Sequence, residues 1–528
     1  KKPRIPGPRE LELEITKRYL LIPVENGARM TRVDVRARDE NVREFEVELA
    51  TSKEKADFWA HLDVSRFAGE KATLRFSRAF EESLDLIAQS DTLPRPERLY
   101  DEALRPQFHF SQRIGWNNDP NGMVYYDGEW HLYYQHNPYG WKWGNMHWGH
   151  AVSRDLVHWE ELPIAIYNKR FGDWAFSGSA IVDERNTAGW QTGDEKVIVA
   201  AWTSTGRGEC IAYSNDRGRT FTEYEGNPVV KHEGRDPKII WYEPGEHWVM
   251  AVYTVHEGKN AIAFHTSKNL KDWTFASRID GFYECPEILE LPVDGSDDDR
   301  RWVIFAADAR YVVGRFDGKV FTPLHDGKHR LHYGDYYASQ VFSGAPGDRK
   351  IQIGWARIEM PGMRFNQTFT FPHELTLRTT PDGVRLFAEP VREIEKLYRR
   401  RIAVEERALA PDAPLELAVS GELFDVYARF EIGEASAVGL DVGGNRIVYD
   451  ARARKLGEAE LDPVDGSVSI RVLVDRPMLE VIGNGGRVYI TGPRPKRGDL
   501  QAIRAFSEGG AARLVELEAR ELQSIWKR

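Results

Sequence analysis

Three acidic residues of this chain lie in three separate turn-like motifs, far apart in the sequence. Asp119 lies in Trp-Asn-Asn-Asp-Pro-Asn-Gly at residues 116–122, Asp236 lies in Arg-Asp-Pro, and Glu284 lies in Glu-Cys-Pro. Short patterns typical of β-strands flank each motif, and a turn at a strand end can hold a carboxylate in a fixed direction. Two carboxylates on either side of a sugar anomeric carbon can hydrolyse a glycosidic bond. The motifs therefore predict a reaction type as well as a fold.

The segment around Asp119 is rich in amide and aromatic side chains. An Asp between Asn and Pro is often only a turn former. Amides, however, can bind sugar hydroxyls, and aromatic rings can stack on the faces of sugars. Residues 116–148 contain Trp116, Asn118, Gln135, Asn137, Trp141, Trp143 and Trp148. This density favours a carbohydrate site over a purely structural turn.

Asp236 and Glu284 each have a simpler interpretation when they are taken alone. Asp236 could form a surface ion pair with its neighbour Arg235, and such pairs contribute little to stability. Glu284 could be a solvated residue of a turn. The catalytic interpretation therefore rests on the three acids together.

Composition and charge argue against several classes of partner. The 528 residues carry a net charge of −10, and no basic stripe is present that could neutralise the phosphates of a nucleic acid. Nothing indicates a membrane partner. The sequence also has no run of 18 apolar residues, which a transmembrane helix would require. The two cysteines, Cys210 and Cys285, lie in different motifs, so we expect neither a disulfide scaffold nor a zinc site.

Three histidines, His147, His150 and His158, are close enough in sequence to suggest a metal site. They alternate with strand and turn residues and lack a carboxylate at ligand spacing, so we interpret them as structural. We expect no metal and no other cofactor, because acid–base and nucleophilic chemistry suffice for hydrolysis.

The chain divides into domains according to its hydrophobic patterns. Residues 1–9 are Pro-rich and predict a flexible lead. Residues 10–95 alternate apolar and polar residues in about seven short runs, which predicts a small β-sandwich. Residues 104–388 contain a repeat, residues 389–404 are charged and predict a linker with a short helix, and residues 405–528 predict a second β-sandwich.

The repeat consists of a strand that ends in Ser, a polar turn and an aromatic residue. The serines are Ser153, Ser214 and Ser267, which gives spacings of 61 and 53 residues. A four-stranded unit at such a spacing is typical of a β-propeller blade, although ordinary hairpin turns could produce the pattern by coincidence. The segment has room for five blades. We therefore predict an all-β protein with a five-bladed β-propeller between two β-sandwiches.

Four motifs in this order resemble those of glycoside hydrolase family 32, which contains invertases, inulinases and levanases. They are residues 116–122, Phe-Ser-Gly-Ser-Ala at residues 176–180, Arg235-Asp236-Pro237 and Glu284-Cys285-Pro286. In addition, residues 143–153 resemble exo-acting inulinases and levanases, and residues 474–481 resemble the signature of the family's C-terminal sandwich. The resemblance covers residues 105–525, and it implies a propeller with an axial funnel followed by a β-sandwich. Residues 10–80 lie outside it and look like an accessory domain found on some bacterial members.

The resemblance implies a retaining double displacement on β-D-fructofuranosides. By motif match, Asp119 is the nucleophile, Glu284 is the general acid and base, and Asp236 stabilises the transition state. A retaining mechanism predicts that the carboxyl groups of Asp119 and Glu284 lie roughly 5–5.5 Å apart.

The resemblance also implies which residues bind the sugar. The matching positions are Asn118, Gln135, Trp143, Phe176, Ser177, Arg235, Asp335 and Tyr336. Two departures from the family pattern are Asn117, where Met is common, and the loop at residues 354–367, where a Trp-rich stretch is reduced. We expect this loop to shape the leaving-group side of the funnel. Because the loop departs from the family pattern, the sequence does not decide which substrate is preferred.

We expect an exo-acting β-fructosidase that releases terminal fructose from levan, inulin or sucrose. A fructosyltransferase would use the same covalent intermediate with a sugar acceptor in place of water. A non-catalytic fructan-binding protein is disfavoured because all three acids are present, and an inverting arabinosidase or xylosidase is disfavoured by the Asn-Asp-Pro-Asn-Gly and Glu-Cys-Pro contexts. We expect a secreted or periplasmic protein, although the chain as given begins without a signal sequence, and a homo-oligomer could form through the sandwich domains.

Overall fold

The structure, a computed structural model, describes residues 6–94, 99–168 and 170–526. Within these residues the protein is built from β-strands, and its one α-helix is Glu81–Leu84. Short 3₁₀ helices lie at Ser65–Phe67, Glu243–Gly245, Pro346–Asp348 and Arg392–Leu397. No helix in this part of the chain has the length and apolar character that a membrane span requires. The predicted all-β class is confirmed.

The N-terminal domain is a sandwich of two small sheets. Its strands are β1 (Gly7–Glu14), β2 (Tyr19–Val24), β3 (Met30–Ala37), β4 (Glu40–Glu48), β5 (Phe58–Asp63), β6 (Lys71–Ala79) and β7 (Ala88–Ser90). One sheet has the order β1-β6-β3-β4 and the other has the order β5-β2-β7. Alternate residues of both sheets, such as Ile22, Val33, Phe45 and Leu74, are buried in one common core. This burial on every second residue is the physical origin of the alternating pattern in the sequence.

The first strand begins earlier than predicted. β1 starts at Gly7 and pairs with β6, so residues 7–9 belong to the sheet and not to a flexible lead. Residues 1–5 of the predicted lead lie outside the described residues. Pro3, Pro6 and Pro8 suggested a break in structure, but an edge strand such as β1 tolerates Pro because one of its sides makes no backbone hydrogen bonds.

The central domain is the predicted five-bladed propeller. Blade 1 consists of β8 (Gly115–Tyr126), β9 (Glu129–Asn137), β10 (His147–Ser153) and β11 (Trp159–Ile166). Blade 2 consists of β12 (Ala175–Asp183), β13 (Val197–Ser204), β14 (Gly208–Ser214) and β15 (Thr222–Glu223). Blade 3 consists of β16 (Gly234–Tyr242), β17 (His247–His256), β18 (Lys259–Ser267) and β19 (Thr274–Asp280). Blade 4 consists of β20 (Glu287–Val293), β21 (Ser296–Phe305), β22 (Arg310–Phe316), β23 (Phe321–Pro323) and β24 (His329–Arg330). After β25 (His332–Gly334), blade 5 consists of β26 (Tyr336–Val341), β27 (Ile351–Ala356), β29 (Thr368–Phe369), β30 (His373–Thr380) and β31 (Gly383–Pro390). Blades 4 and 5 are joined into one sheet through β20 and β30.

The first strand of each blade lies innermost. β8 contacts β12, β12 contacts β16, β16 contacts β20, and β26 contacts β8, which arranges these strands around the propeller axis. A short strand from the far end of the domain, β28 (Phe365–Asn366), pairs in parallel with the start of β8. This pairing brings the loop at residues 354–367 beside Trp116 and therefore beside the motif that contains Asp119.

The sequence repeat occupies the same place in the first three blades. Ser153, Ser214 and Ser267 are the last residues of β10, β14 and β18. In each case the Ser hydroxyl accepts a hydrogen bond from the backbone N–H two residues later, at 3.1, 3.3 and 3.2 Å. The repeat is therefore a recurrent Ser-initiated turn after the third strand of a blade.

The C-terminal domain is a second and larger sandwich. Its strands are β32 (Tyr398–Val404), β33 (Arg407–Leu409), β34 (Leu415–Gly421), β35 (Phe424–Glu431), β36 (Ala437–Val442), β37 (Asn445–Asp450), β38 (Lys455–Leu456), β39 (Ala459–Glu460), β40 (Ser467–Val474), β41 (Met478–Gly483), β42 (Val488–Pro493), β43 (Leu500–Glu508) and β44 (Ala512–Leu522). One sheet has the order β25-β42-β41-β40-β35-β44-β32, and the other has the order β34-β43-β36-β37-β38-β39. β25, which follows blade 4 in the chain, thus belongs to a sheet of this sandwich.

The predicted linker at residues 389–404 is only partly a linker. Its middle forms the 3₁₀ helix Arg392–Leu397, but its last seven residues are β32, which pairs with β44 of the sandwich. The exposed charges of residues 399–401 made this strand look like a connector. They lie on β32, which is the last strand in its sheet and is therefore open to solvent on one edge.

The C-terminal signature at residues 474–481 ties the two large domains together. Asp475 accepts hydrogen bonds from the backbone N–H groups of Gln107, Phe108 and His109 at 2.7, 3.0 and 3.2 Å. It also lies 2.7 Å from Nδ1 of His109, and both side chains are fully buried. Burial lowers the pKa of His109, but the negative charges of Glu480 and Asp475 raise it to about 9 overall. The signature therefore holds the segment that leads into the propeller.

Candidate active site

The three predicted catalytic acids meet at one end of the propeller axis. Asp119 lies on β8 of blade 1, Asp236 lies on β16 of blade 3, and Glu284 lies in the loop just before β20 of blade 4. Blade 2 contributes Ser177 from β12, and blade 5 contributes Tyr337 from β26. The geometry brings together residues that are up to 218 positions apart in the chain, and it explains why the motifs occur once per blade.

Local irregularities of the innermost strands aim these side chains. The strand register shifts between Asn117 and Pro120, between Ala175 and Gly178, between Arg235 and Lys238, and between Tyr337 and Gln340. Such β-bulges re-aim side chains and are common beside active sites. Asp236, Glu284 and Cys285 also have positive φ angles of 68°, 42° and 45°. Non-glycine residues in this region of conformational space are uncommon and cluster at functional sites.

Asp119 is held by hydrogen bonds on both carboxylate oxygens. Ser177 Oγ donates to Oδ2 at 2.5 Å, and Asn118 Nδ2 donates to Oδ1 at 3.1 Å. Burial raises the pKa of Asp119, as does the negative charge of Glu284, while the hydrogen bonds from Ser177 and Asn118 act in the opposite direction. The donors fix the direction of the carboxylate and favour its ionised form.

Asp236 is the most buried of the three acids, with 5% of its surface exposed. Its backbone N–H donates to Thr203 Oγ1 at 2.8 Å, and its Oδ2 accepts the backbone N–H of Cys285 at 3.0 Å. Burial raises the pKa of Asp236 to about 8, and the negative charges of Asp119 and Glu284 act in the same direction. At neutral pH Asp236 therefore retains a proton within this cluster.

Glu284 has a separate set of partners. Tyr337 Oη donates to its Oε1 at 2.6 Å, and Arg235 donates to its Oε2 from Nη2 at 2.8 Å and from Nε at 3.2 Å. The Glu284 side chain is 20% exposed. Arg235 also receives support from Tyr283, whose hydroxyl accepts a hydrogen bond at 3.0 Å. Glu284 is thus oriented on both oxygens and remains partly exposed.

Cys285 links the other two acids. Its sulfur lies 3.4 Å from Oδ2 of Asp119 and 3.5 Å from Oδ2 of Asp236. Burial raises the pKa of this thiol well above its usual range, and the charges of Asp119, Asp236 and Glu284 raise it further. Cys285 is therefore a neutral donor between two carboxyl groups, a role that explains its place in the Glu-Cys-Pro motif.

Arg235 is the one cation among the groups that contact the three acids in the described structure. Its Nε lies 3.8 Å from Asp236, in addition to its hydrogen bonds with Glu284. Burial lowers the pKa of Arg235, but the hydrogen bond with Glu284 and the charges of Asp236 and Glu284 raise it overall. The cluster thus contains three carboxyl groups and one guanidinium, which contacts Asp236 and Glu284. This imbalance accounts for the retained proton, because like charges at short range disfavour ionisation.

The amide side chains predicted to bind the sugar are both buried, and that of Asn118 contacts Asp119. Asn118 accepts a hydrogen bond from Trp116 Nε1 at 2.9 Å in addition to its donation to Asp119. Gln135 donates from Nε2 to Asn121 Oδ1 at 2.8 Å and to the backbone oxygen of Ala175 at 2.9 Å. Since both donors of Gln135 are engaged within the protein, its Oε1 is the atom left for a sugar hydroxyl.

Three aromatic rings from blades 1 and 2 form one cluster beside Ser177. The ring of Trp143 contacts those of Trp174 and Phe176 edge-on, with centroid distances of 5.3 and 6.0 Å. Trp143 is 49% exposed, which is unusual for so large an apolar side chain. We call Trp143, Trp174 and Phe176 the aromatic wall. Exposed rings of this kind can stack on the apolar faces of sugars.

Tyr336 does not line the site, contrary to the prediction. It is 5% exposed, and its ring stacks on His332 with a centroid distance of 3.8 Å inside the core. The neighbouring Tyr337 contacts Glu284 instead, because successive side chains of a strand point to opposite faces. Asp335 is half-buried just before β26, where its backbone bonds to Thr491 and Arg357.

Sequence reasoning missed Tyr337 and the residues that support it. Trp355 contacts the rings of Trp116 and Tyr337 edge-on, at 5.9 and 6.2 Å, and donates from Nε1 to Gln367 Oε1 at 3.0 Å. The signal that could have found Tyr337 is the doubled Tyr of Gly-Asp-Tyr-Tyr-Ala, which leaves open which ring faces the site. Trp355 and Gln367 lie in the divergent loop at residues 354–367, beside the acids.

Two of the three histidines discussed above have structural surroundings. His147 and His150 are fully buried, and His150 lies 3.0 Å from His131 and stacks on Tyr133. His158 pairs with Asp155 at 3.0 Å on the blade surface. In the described parts of the chain, no group of three or more His, Cys, Asp or Glu side chains has an arrangement that could hold a metal ion.

Comparison with known families agrees with this geometry. The glycosyl hydrolases family 32 N-terminal domain matches residues 109–390, and the family's C-terminal domain matches residues 393–521. The chain belongs to glycoside hydrolase family 32. It is accordingly a glycosidase, and the family predicted from the four motifs is confirmed. A domain of unknown function (DUF4980) matches residues 11–94, which correspond to the N-terminal sandwich.

Relatives within family 32 cover most of the chain. A levanase from Bacillus subtilis is 38% identical over 489 residues, which span 81% of this chain and 72% of the levanase. An extracellular exo-inulinase from Aspergillus ficuum is 28% identical over 525 residues, which span 81% of this chain and 96% of the inulinase. The crystal structure of an exo-inulinase from Aspergillus awamori superposes with a TM-score of 0.73 at 27% identity, covering 81% of this chain and 100% of the inulinase.

Proposed function

We propose that this family 32 enzyme is an exo-acting β-fructosidase that releases terminal fructose from a fructan, levan or inulin, and also cleaves sucrose. The observation that carries the proposal is the pair Asp119 and Glu284 in one site with separate hydrogen-bond partners. Ser177 and Asn118 donate to Asp119, while Tyr337 and Arg235 donate to Glu284. The similarity to a levanase and to exo-inulinases supports fructan as the substrate class.

In the first step Asp119 attacks the anomeric carbon of the terminal fructose. The hydrogen bonds from Ser177 and Asn118 favour the ionised carboxylate that a nucleophile needs. Glu284 gives its proton to the oxygen of the leaving sugar as the glycosidic bond breaks. The product of this step is a covalent fructosyl ester of Asp119.

In the second step Glu284, now ionised, takes a proton from water, and the resulting hydroxide attacks the anomeric carbon and releases Asp119. Two inversions at one carbon retain the β configuration. Arg235 and Tyr337 stabilise the ionised form of Glu284 that exists between the two steps. The separation of roughly 5–5.5 Å between the carboxyl groups stays a prediction of this mechanism.

Asp236 is proposed to bind fructose hydroxyls and, in its ionised form, to stabilise the oxocarbenium-like transition state. Its burial and its contact with Cys285 leave it little freedom to move. A group that is already oriented loses no free energy in reorganisation when charge develops on the sugar. We assign the sugar contacts to Gln135 Oε1 and to the aromatic wall, whose rings can cover an apolar face of fructose.

The same covalent intermediate would serve a fructosyltransferase, which transfers the sugar to another sugar in place of water. The two activities differ in how an acceptor binds on the leaving-group side. In this chain that side adjoins the loop at residues 354–367, where Trp355 contacts Tyr337. Hydrolysis is favoured because the relatives described above include a levanase and an exo-inulinase.

Product analysis over time tests this proposal. With levan and with inulin, an exo-acting hydrolase gives fructose as the sole early product, and the faster substrate identifies the preferred linkage. With concentrated sucrose it gives equal amounts of glucose and fructose. Early release of oligosaccharides would show endo-cleavage, and an excess of glucose together with new trisaccharides would show transfer. Either result would replace the proposed activity.

We propose further that the enzyme acts outside the cytoplasm. Its polymeric substrate is too large to cross a membrane without degradation, and one of the relatives described above is named as an extracellular exo-inulinase. Activity in the medium or periplasm of the producing cell, measured against a cytoplasmic marker, tests this location. A homo-oligomer through the sandwich domains stays a prediction that analytical ultracentrifugation can test.

A further inference from the structure

The N-terminal sandwich contacts the two loops that carry Trp143 and Trp174 of the aromatic wall. The first loop, residues 138–146, joins β9 to β10 and carries Trp143. The second joins β11 to β12 and carries Trp174, one residue before β12 begins. Both loops are bound by the same short part of β4, residues 43–46. This convergence is more specific than general packing between two domains.

The first loop is held through Asn145. Its Oδ1 accepts the backbone N–H of Glu46 at 2.8 Å, and its Nδ2 donates to the backbone oxygen of Glu46 at 2.8 Å. One side chain thus satisfies both backbone groups of a strand residue, in the way a neighbouring strand would. Asn145 is 3% exposed and also donates to Asn137 Oδ1 at 3.0 Å. Trp143 lies two residues away, so its backbone position depends on this anchor.

The same loop is also packed into the N-terminal domain. Tyr139 stacks on Phe45 with a centroid distance of 3.8 Å and an interplanar angle of 16°. Tyr139 is 1% exposed, and it belongs to the apolar core of the N-terminal sandwich although it lies in the propeller sequence. The loop that carries Trp143 is therefore anchored on both sides of the tryptophan.

The second loop is held through Glu44. Its Oε2 accepts the backbone N–H of Phe171 at 2.7 Å, and its backbone oxygen accepts Nδ2 of Asn168 at 2.9 Å. The guanidinium of Arg32 on β3 lies 4.4 Å from the ring centroid of Phe171 and pairs with Glu44 at 3.0 Å. The Arg43 guanidinium similarly covers the ring of Tyr167. Trp174 follows Phe171 by three residues.

We propose that the N-terminal domain is a positioning domain for the substrate site, which orders the aromatic wall through Glu44 and Asn145. The inference rests on the proposed function, because it assumes that the wall contacts sugar. A half-exposed ring on a free loop would lose conformational entropy each time substrate bound. Loops that are already ordered in the unbound enzyme avoid this cost and bind more tightly. The domain thus acts on affinity for the sugar chain without itself touching the reacting atoms.

Variants of the two anchors test the proposal in the full-length enzyme. Glu44→Ala and Asn145→Ala each remove hydrogen bonds between β4 and one of the two loops. If Glu44→Ala folds poorly, Glu44→Gln offers a milder change at the same position. We expect each to raise KM for levan or inulin about fivefold, with kcat within about twofold of its original value. Glu10→Ala is the matched control, since Glu10 is an exposed acid of the same domain that pairs with Arg75 on the domain surface. It should leave both constants unchanged.

A double-mutant cycle with Trp143→Ala separates positioning from simple loss of stability. If the anchors act through the wall, Asn145→Ala, whose loop carries Trp143, should raise KM no further once Trp143 is absent. The proposal is overturned if Trp143→Ala raises KM while the anchor variants do not, or if the effects multiply in the double variant. If Trp143→Ala itself leaves KM unchanged, this result refutes both the positioning role of the N-terminal domain and the sugar contact assigned to the wall. Fructose release by the intact enzyme would still support the proposed activity in that case, so the two failures are distinguishable.

Discussion

The hydroxyl of Tyr337 donates a hydrogen bond of 2.6 Å to Oε1 of Glu284, and this contact joins blade 5 to the loop before blade 4. The adjacent Tyr336 lies on the other face of the same strand, in the core. A substitution of Tyr337 therefore tests the contact with Glu284, and the same substitution of the adjacent Tyr336 serves as its control. Both tyrosines lie on β26, so changes in the strand as a whole would affect them alike.

Tyr337→Phe should lower kcat for sucrose about tenfold, because a hydrogen bond to a charged group is lost from the acid–base residue. KM should change little if Tyr337 orients Glu284 and does not bind sugar. Steady-state kinetics measure both constants. Tyr336→Phe should retain full activity, and equal losses in the two variants would show that the effect comes from the strand and not from the contact with Glu284.

Asp236→Asn should stabilise the protein while it inactivates the enzyme. The pKa of Asp236 is about 8 in the folded protein, against an ordinary value of 3.8 in the unfolded chain. Between these values the folded state holds a proton that the unfolded state releases, so this residue's contribution to stability falls as the pH rises from about 4 to about 8. The gain in Tm of Asp236→Asn over the wild type should therefore grow over that range and level off above it.

Thermal unfolding at a series of pH values measures this gain. The trend should weaken in an Asp119→Asn background, because the negative charge of Asp119 helps to raise the pKa of Asp236. A variant that is less stable than the wild type at pH 8, or a gain that does not vary with pH, would contradict the retained proton.

Asp475→Asn should destabilise the protein by about 3–5 kcal/mol, because it removes one of the two buried negative partners of His109 and leaves only Glu480. Three backbone N–H groups would also lose part of their acceptor. Denaturant unfolding measures the loss. Asp462→Asn is the matched control, since that acid pairs with Arg454 on the exposed surface of the same domain and should contribute about 1 kcal/mol or less. Equal effects of the two substitutions would refute the structural role assigned to the C-terminal signature.

Neither cysteine should react with iodoacetamide in the native protein at pH 8. Burial raises the pKa of Cys210 to about 12, and Cys285 is buried beside three carboxyl groups that raise its pKa further. The thiolate is the reactive form, and both environments suppress it. Intact-protein mass spectrometry should find no adduct before unfolding and two adducts in guanidinium. A native adduct on Cys285 would show that the site opens to reagents.

Local pattern was enough to predict the five-bladed propeller, and the catalytic roles of the three acids stay a prediction. Strands such as β3 bury every second residue, and each acid lies in a short motif rich in turn-forming residues, so short segments of sequence contain the information. The Ser153, Ser214 and Ser267 turns could be recognised for the same reason. The prediction of Tyr336 in place of Tyr337 was wrong because two adjacent tyrosines differ only in the face of the strand they occupy, and a bulge after Tyr337 changes the register there.

Contacts between distant segments could not be predicted in this way. The pairing of β28 with β8 joins residues about 250 positions apart, and the anchoring of Asn145 by Glu46 joins two domains. Neither contact leaves a periodic signal in the sequence, since each uses one or two residues of otherwise ordinary loops. The start of the C-terminal sandwich at Tyr398 was missed for a related reason, because an exposed edge strand can be as charged as a linker.

Fructose release from levan, inulin and sucrose by the intact chain, Asp119→Asn and Glu284→Gln tests the central claim most directly. The account predicts that the intact enzyme releases free fructose from at least one fructan, and that each variant lowers the rate by about 1,000-fold or more while it keeps the fold. Release by both variants at the original rate, or no release from any of the three sugars by the intact chain, would contradict the account.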